Sequence, residues 1–542
     1  MYLTEAFSWE VTMSYPYKTF YQWIEEEERL GNVLRIRTPI KCGDYNNLVN
    51  IETTDYNRFV DVRREMKGKQ PETDLRAVAR YLHSLPGKPI GIIENPVDNC
   101  PDIPVVVNIW PTRERTLRGM GLKDKEEFVK NIGSILTRKI KPVKVSKGEA
   151  LCKEVIIPEE KVDLRKDLPR VWAEFNKVCL SGCNGTLICY DPETGTHGLT
   201  KTRLGFLDWD NGDPNNPFPE EKVKRYGFAT LMGAGSSLLN SAGRYYFENY
   251  RAKDKPWPAA WIFGLPTDIH MVAAYKGLRG WPKYGDEYEL LGGFRGEPIE
   301  LVESETIPGL MVPAHAEWVI EGEFISEDFK SPPLAYESPR GFMWGGAPWP
   351  VFRVKGITHR KQPLWTAASF DSLGPHDHLG VHTGQFWLIE EAYTINYLRG
   401  LGFKVKDVVV LAGMWVTVIQ LEFDGADKPY AHYGDEVGKA VGAKYTIVVG
   451  PDIDPYNAEE VMWAVGMRAG KSSWREPEYP PGALQPPVWD RIFNDVTINM
   501  GSLVIDATIP VPERFDSFPP RSDPPEWEKV AIARMKRKIA GE

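Results

Sequence analysis

The stretch Lys444–Arg468 constrains the fold of this 542-residue chain more than any other. It reads Lys-Tyr-Thr-Ile-Val-Val-Gly-Pro-Asp-Ile-Asp-Pro-Tyr-Asn-Ala-Glu-Glu-Val-Met-Trp-Ala-Val-Gly-Met-Arg. Tyr445 to Val449 is a short apolar run bounded by turn residues, the pattern of a buried strand. Gly450 to Pro455, with two Pro and two Asp, reads as a turn. Asn457 then stands as a helix N-cap with Glu460 three residues on, an Asn version of the capping box. A strand, a turn and a capped helix in direct succession build an α/β unit.

The chain is longer than one hydrophobic core usually covers, so two or three domains are expected. With 42% hydrophobic and 26% charged residues it has the composition of a globular protein. The formal net charge of −9 argues against nucleic acid as a partner, because a phosphate-binding surface needs a basic excess. No apolar run reaches the roughly eighteen residues of a membrane span. Met1 to Tyr17 lacks the basic-then-apolar order of a signal peptide, so a cytoplasmic location is expected. Six cysteines do not make a disulfide framework in a chain this long. Cys179, Cys183 and Cys189 lack metal spacing and read as reduced thiols. Eighteen tryptophans fit broad interfaces and an aromatic-lined pocket.

Residues 1–150 read as mixed α/β: a helix from Tyr17 to Leu30, a strand from Val33 to Thr38, and an amphipathic helix from Asp124 to Leu136 with Asp124 as N-cap. Residues 151–365 are strand-rich. Leu180 to Tyr190 leads into the hairpin connection Asp191-Pro-Glu-Thr-Gly195, and Tyr226 to Ala252 is expected to be helical. Glu317 to Phe324 alternates, with Trp318, Ile320 and Phe324 on one face and three glutamates on the other, which predicts a strand with one solvated face. Ser331 to Pro350 is so punctuated by Pro and Gly that it reads as a long functional loop. In residues 366–542 a helix from Thr383 to Gly400 precedes strands Val405–Leu411 and Met414–Phe423, the 444–468 unit, and a charged helix from Pro525 to Ile539.

Gly466-Met-Arg-Ala-Gly-Lys471-Ser472 has nearly the composition of a phosphate-binding loop, but it ends a helix where such a loop must begin one. Gly233-Ala-Gly-Ser-Ser237 fits neither a dinucleotide nor a nucleophile-elbow pattern. His376-Asp-His378-Leu-Gly-Val-His382 holds three of the nine histidines. Three readings stay open for it: structural histidines, a zinc site without the usual glutamate, or the wall of a substrate pocket.

As a string, the 444–468 unit resembles the C-terminal signature of the UbiD family of prenylated-FMN-dependent (de)carboxylases. The likeness continues over Gly285-Asp-Glu287-Tyr-Glu-Leu-Leu-Gly-Gly-Phe-Arg-Gly-Glu-Pro-Ile-Glu-Leu-Val302, similar to the family's metal-glutamate strand and the strand after it. It includes Val312-Pro-Ala-His-Ala-Glu-Trp-Val-Ile-Glu-Gly322, and Leu199-Thr-Lys-Thr-Arg203, similar to the segment that wraps the flavin. The resemblance implies a central split β-barrel between an N-terminal α/β domain and a C-terminal α/β dimerisation domain, assembled as a homodimer or hexamer. It implies a flavin held by Thr200, Lys201, Thr202, Arg203, Ala273, Ala274, Tyr275 and Lys439. Glu287 and His197 would take a divalent metal (Mn, Mg or Fe), with K+ as a further ion. Arg203 and Glu337, with His376, His378 and His382 around them, would be catalytic.

Those residue types suit the chemistry. Loss of CO2 from an sp² carbon leaves an anion that water stabilises poorly, so a cofactor has to take up the electrons. The always-charged Arg203 would orient the substrate carboxylate, and Glu337 would deliver the proton. Three family positions depart: Gly198 and Ser241 stand where metal-binding Asn and His are expected, and Pro332 where a glutamate is expected. With the His-rich segment, these departures point to a branch acting on stable aromatic rings, with an aromatic acid or an aryl-CoA thioester such as phthaloyl-CoA as substrate and CO2 as product or co-substrate. A flavin prenyltransferase would supply the cofactor. Two other readings are a UbiD-like subunit of a larger carboxylase and a simple flavin-binding oxidoreductase, although no nicotinamide fingerprint is present.

Overall fold

Antiparallel pairing needs no long crossover, and the centre of the chain is built on it. The computed structural model describes residues 15–42, 75–97, 102–169, 171, 180–181, 185–201, 204–206, 224–229, 240–274, 285–326, 334–337, 343–347, 350–367, 387–411, 416–422, 445–476, 503–508 and 525–540. A nine-stranded, wholly antiparallel sheet runs in the order Thr196–Lys201, Thr186–Asp191, Trp257–Phe263, Trp318–Phe324, Val351–His359, Tyr226–Ala229, Leu204–Phe206, Leu180–Ser181. The ninth strand, Val155–Pro158, shares an edge of the 351–359 strand with 226–229, each pairing with a different half of it. This sheet is the central β unit of the expected mixed α/β fold. Among the described residues its two end strands are not paired to each other.

Aromatic residues fill one of its cores. Trp261 meets Phe352 edge-on at 4.5 Å, and Trp318 meets Trp365 edge-on at 5.4 Å. Several of the eighteen tryptophans are therefore structural. Cys42, Cys152 and Cys189 are buried, and burial pushes the Cys152 thiol up to about 12.

The expectation of a solvated glutamate face on Glu317–Phe324 is wrong. Glu317 and Glu321 are both fully buried. Glu321 accepts from Lys153 Nζ at 2.9 Å, Ser304 Oγ at 2.7 Å and Thr306 Oγ1 at 3.0 Å, and from the N–H groups of Glu305 and Thr306. Glu317 accepts from Arg360 and from Leu364 N–H, each at 2.9 Å. Alternation marks two chemically distinct faces, and a polar interior satisfies it as well as water does.

Three further expectations are corrected. Tyr226–Ala229 is a strand, and among the described residues of that stretch helix covers Ser241–Tyr245 and continues to Arg251. The punctuated 331–350 segment contains a hairpin, Leu334–Glu337 with Met343–Ala347, whose short strands are hidden between Pro and Gly. The expected metal-glutamate strand is the helix Glu287–Arg295, N-capped by Asp286 and ended by left-handed Gly296 (φ +80°). A Cβ on Gly293 of this helix would lie 1.8 Å from the carbonyl oxygen of Arg138, so the close helix–backbone approach requires glycine there.

A separate four-stranded sheet runs Val33–Ile36, Ile90–Ile93, Val105–Val107, Trp365–Thr366. Its last strand comes from beyond the central sheet. A five-stranded sheet runs Val405–Leu411, Val416–Leu421, Tyr445–Val449, Leu503–Ala507, Trp474–Arg475. The strand and the N-cap of the 445–468 unit form as expected: Asn457 Oδ1 accepts from the N–H of Glu459 and Glu460, and the Ala458–Arg468 helix packs on the neighbouring strands, while Glu460 accepts from the N–H of Asp454 and the Asn457 N–H donates to the Asp454 carbonyl. No helix among the described residues is long and apolar enough to cross a membrane.

Candidate active site

The hairpin Thr186–Asp191/Thr196–Lys201 sets the geometry of the site. Asp191 organises its turn by accepting from Glu193 N–H at 2.9 Å and Thr194 Oγ1 at 2.7 Å. That turn places His197 opposite Tyr190. The 196–201 strand lies at the edge of the sheet, so alternate N–H groups point outward and need partners. The start of the 287–295 helix supplies them. His197 N–H donates to Asp286 Oδ2 at 2.9 Å, and Leu199 N–H donates to Glu287 Oε2 at 2.5 Å. Asn240 crosses the junction, its Nδ2 donating to the carbonyls of His197 (2.8 Å) and Gly285 (3.2 Å).

His197 is 5% exposed and does not fit a metal. Its Nδ1 lies 2.8 Å from Asp286 Oδ2, and its Nε2 accepts from Met311 N–H at 3.0 Å. A backbone N–H can only donate, so Nε2 carries the lone pair and Nδ1 the proton. No lone pair remains for a cation. The expected ligand role of His197 is thereby corrected. Among the described residues no group of three His, Cys, Asp or Glu side chains could hold a metal ion. Glu287, 3% exposed at a helix N-terminus that favours its charge, is the described remnant of the expected ligand set.

The helix Thr267–Ala274 closes the junction, packing on both the 196–201 strand and the 287–295 helix. Its first turn is anchored by buried polar contacts. Thr267 Oγ1 accepts from Trp110 Nε1 at 3.0 Å, and Asp268 pairs with Arg295 at 2.7 Å and accepts from Tyr15 OH at 3.3 Å. Burial raises the Asp268 carboxyl, and burial beside Asp268 raises the Tyr15 phenol well above its usual range. His270 meets the Trp110 ring edge-on at 4.7 Å. Thr200 and Ala273, both expected at the cofactor, are 5% and 3% exposed on these two packed elements.

Of the other expected residues, Lys201 and Ala274 are described in their backbone only, at the ends of the same two elements. Glu337 ends the 334–337 strand, and its side chain lies outside the description. Thr202, Arg203, Tyr275, His376, His378, His382 and Lys439 lie outside the described residues. Asp286, Asn240 and Met311 escaped the sequence reading. Asp286 alone carried a signal, as an N-cap candidate before a helix.

Residues 143–371 match the model of the UbiD 3-octaprenyl-4-hydroxybenzoate carboxy-lyase Rift-related domain. Pyrrole-2-carboxylic acid decarboxylase of Pseudomonas aeruginosa is 29% identical over 245 residues, 41% of this chain and 45% of that protein. Phenolic acid decarboxylase of Bacillus subtilis is 26% identical over 276 residues, 46% of this chain and 53% of that protein. The matches thus span about half the length of these curated relatives. Among solved structures, HmfF of Pelotomaculum thermopropionicum in complex with prFMN superposes with a TM-score of 0.67 at 20% identity, over 94% of this chain and 97% of that one. Vanillic acid decarboxylase ShVdcCD of Sedimentibacter hydroxybenzoicus gives 0.67 at 19% identity, over 97% and 99%. Over residues 143–371 this chain is similar in sequence to the UbiD Rift-related domain, and along nearly its whole length it shares the fold of HmfF and ShVdcCD.

Proposed function

We propose that this protein is a prenylated-FMN-dependent, non-oxidative carboxy-lyase that removes CO2 from, or adds it to, an aromatic acid. The carrying observation is that residues 143–371, which match the UbiD domain, contain the whole junction of strand edge, acidic helix start and buried 267–274 helix. The bound flavin supplies the electron sink for loss of CO2 from an sp² carbon. Thr200 to Arg203 and Ala273 to Tyr275 would hold it, with Lys439 at its phosphate. Arg203 would orient the substrate carboxylate, and Glu337 would hold the proton destined for the carbon that loses CO2. The burial of Thr200, Ala273 and Glu287 would exclude water.

Glu287 remains the candidate for a divalent metal and K+, with further ligands from cofactor and solvent rather than His197. The His376, His378 and His382 segment would hydrogen-bond a ring substituent, which favours a stable aromatic acid or an aryl-CoA thioester such as phthaloyl-CoA as substrate. The names of the decarboxylase relatives support the aromatic-acid class. The protein would act in the cytoplasm as a homodimer or hexamer, with its cofactor made by a flavin prenyltransferase. The test is purification after anaerobic co-expression with such an enzyme. A flavin absorbance and ¹³C-bicarbonate exchange into an aromatic acid are expected, and a chain that never retains flavin would overturn the reading.

A second reading, a subunit that needs a partner polypeptide, is favoured by ShVdcCD, solved also with a truncated ShVdcD. Exchange activity of the isolated chain would exclude it.

A further inference from the structure

One imidazole joins three separate segments of the chain: its own strand at 197, the helix start at 286 and the 311–313 strand through Met311 N–H. The ring lies between Tyr190, stacked at a centroid distance of 5.0 Å, and Tyr288, tilted at 5.3 Å. Only one of its three forms fits. An Nε2–H tautomer would set two donors against each other at Met311 and turn a lone pair toward Asp286. An imidazolium would keep the Asp286 bond but still oppose the Met311 N–H. Asp286 directly precedes Glu287, and Leu199, two residues beyond His197, donates to the Glu287 carboxylate. The three polar links form a short zipper between the strand edge and the helix start.

We propose that His197 is a positioning residue, fixed as the neutral Nδ1–H tautomer, that locks the Glu287 helix start to the strand leading into Thr200–Arg203. The strand end and the acidic helix start then behave as one rigid wall of the cofactor site. The proposal rests on the reading of that site as a flavin site.

The experiment uses the full-length chain, with FMN as the probe, titrated by flavin fluorescence alongside thermal melts of each variant. His197→Ala should bind FMN at least tenfold more weakly. His197→Asn, whose amide places a donor near the Nδ1 position, should retain more affinity than His197→Gln, which offers an acceptor only toward Met311. A purely structural role would lower the melting temperature and leave FMN affinity of the folded variants unchanged. His197→Ala within twofold of wild type, or Gln binding better than Asn, overturns the proposal.

An independent measurement needs neither activity nor flavin. In ¹⁵N spectra of the histidine-labelled wild type, the ring signal that disappears in His197→Asn should carry its proton on Nδ1 at neutral pH. A proton on Nε2, or on both nitrogens, overturns the proposal as well. If the wild type fails to bind FMN while the Nδ1–H signal is present, the flavin reading fails and the lock between strand and helix stands.

Discussion

Two carboxylate clusters beside the central sheet, at Glu321 and at the His197 junction, are held in different ways. Around Glu321 the partner is a cation: Lys153, its side chain fully buried, pairs at 2.9 Å, and backbone and hydroxyl donors fill the remaining lone pairs. A similar ion-pair knot surrounds fully buried Glu391, where Arg113 pairs at 2.7 Å and Lys125 at 2.8 Å. At the His197 junction, Asp286 accepts from the His197 N–H and faces its imidazole, and Glu287 accepts from the Leu199 N–H. The difference teaches what each contact holds: a charge saturated by a buried cation seals the scaffold, whereas the junction carboxylates tie the backbone of a strand edge to a helix start.

The largest effect should come from breaking an ion-pair knot. Lys153→Met leaves Glu321 buried without its cation and should cost about 3–5 kcal/mol in urea unfolding. A cost below about 1 kcal/mol would dissolve the distinction between the two places. Next comes Glu317, whose carboxyl burial raises to about 7 from 4.5. Its folded pKa lies above its unfolded one, so its contribution is fully present below about 4.5 and is lost as pH rises to about 7. The loss should amount to roughly 3 kcal/mol, and Glu317→Gln should flatten that slope in melts from pH 4.5 to 7.

Smaller again is Asp286→Asn at the junction, which keeps one acceptor for His197 and should cost about 1–2 kcal/mol. Asn457→Ala removes the cap of the 458–468 helix and should cost about 1 kcal/mol. Smallest of all, the half-exposed Lys18 pairs with Glu300 at 2.8 Å, and Lys18→Ala should cost less than about 1 kcal/mol. If Asp286→Asn proved as damaging as Lys153→Met, the junction would be scaffold like the rest.

The elements most legible in the chain were those whose signals are local. The 445–449 strand, the Asn457 cap, the Asp124 cap and the 405–411 strand all form as read, since each rests on residues within a few positions of one another. Reading failed where a distant partner decides. The glutamates of the 317–324 strand look solvated until Lys153, Ser304 and Arg360 cover them. His197 looked like a ligand because its bonds to Asp286 and Met311 bridge positions 89 and 114 residues away in the chain. The 334–347 hairpin was concealed by Pro and Gly whose turn role shows only once its strands pair.

By itself the amino-acid order determined the mixed α/β class, the starts of the Asp124- and Asn457-capped helices and the family likeness carried by 285–322 and 444–468. Caps, periods and turn residues act over a few residues, so they are written in the string. The tertiary structure alone decided which carboxylates are sealed by cations and which face a strand edge, and it alone assigned the proton of His197. Those outcomes depend on dielectric and on donors brought together from far apart, and neither exists before the chain has folded.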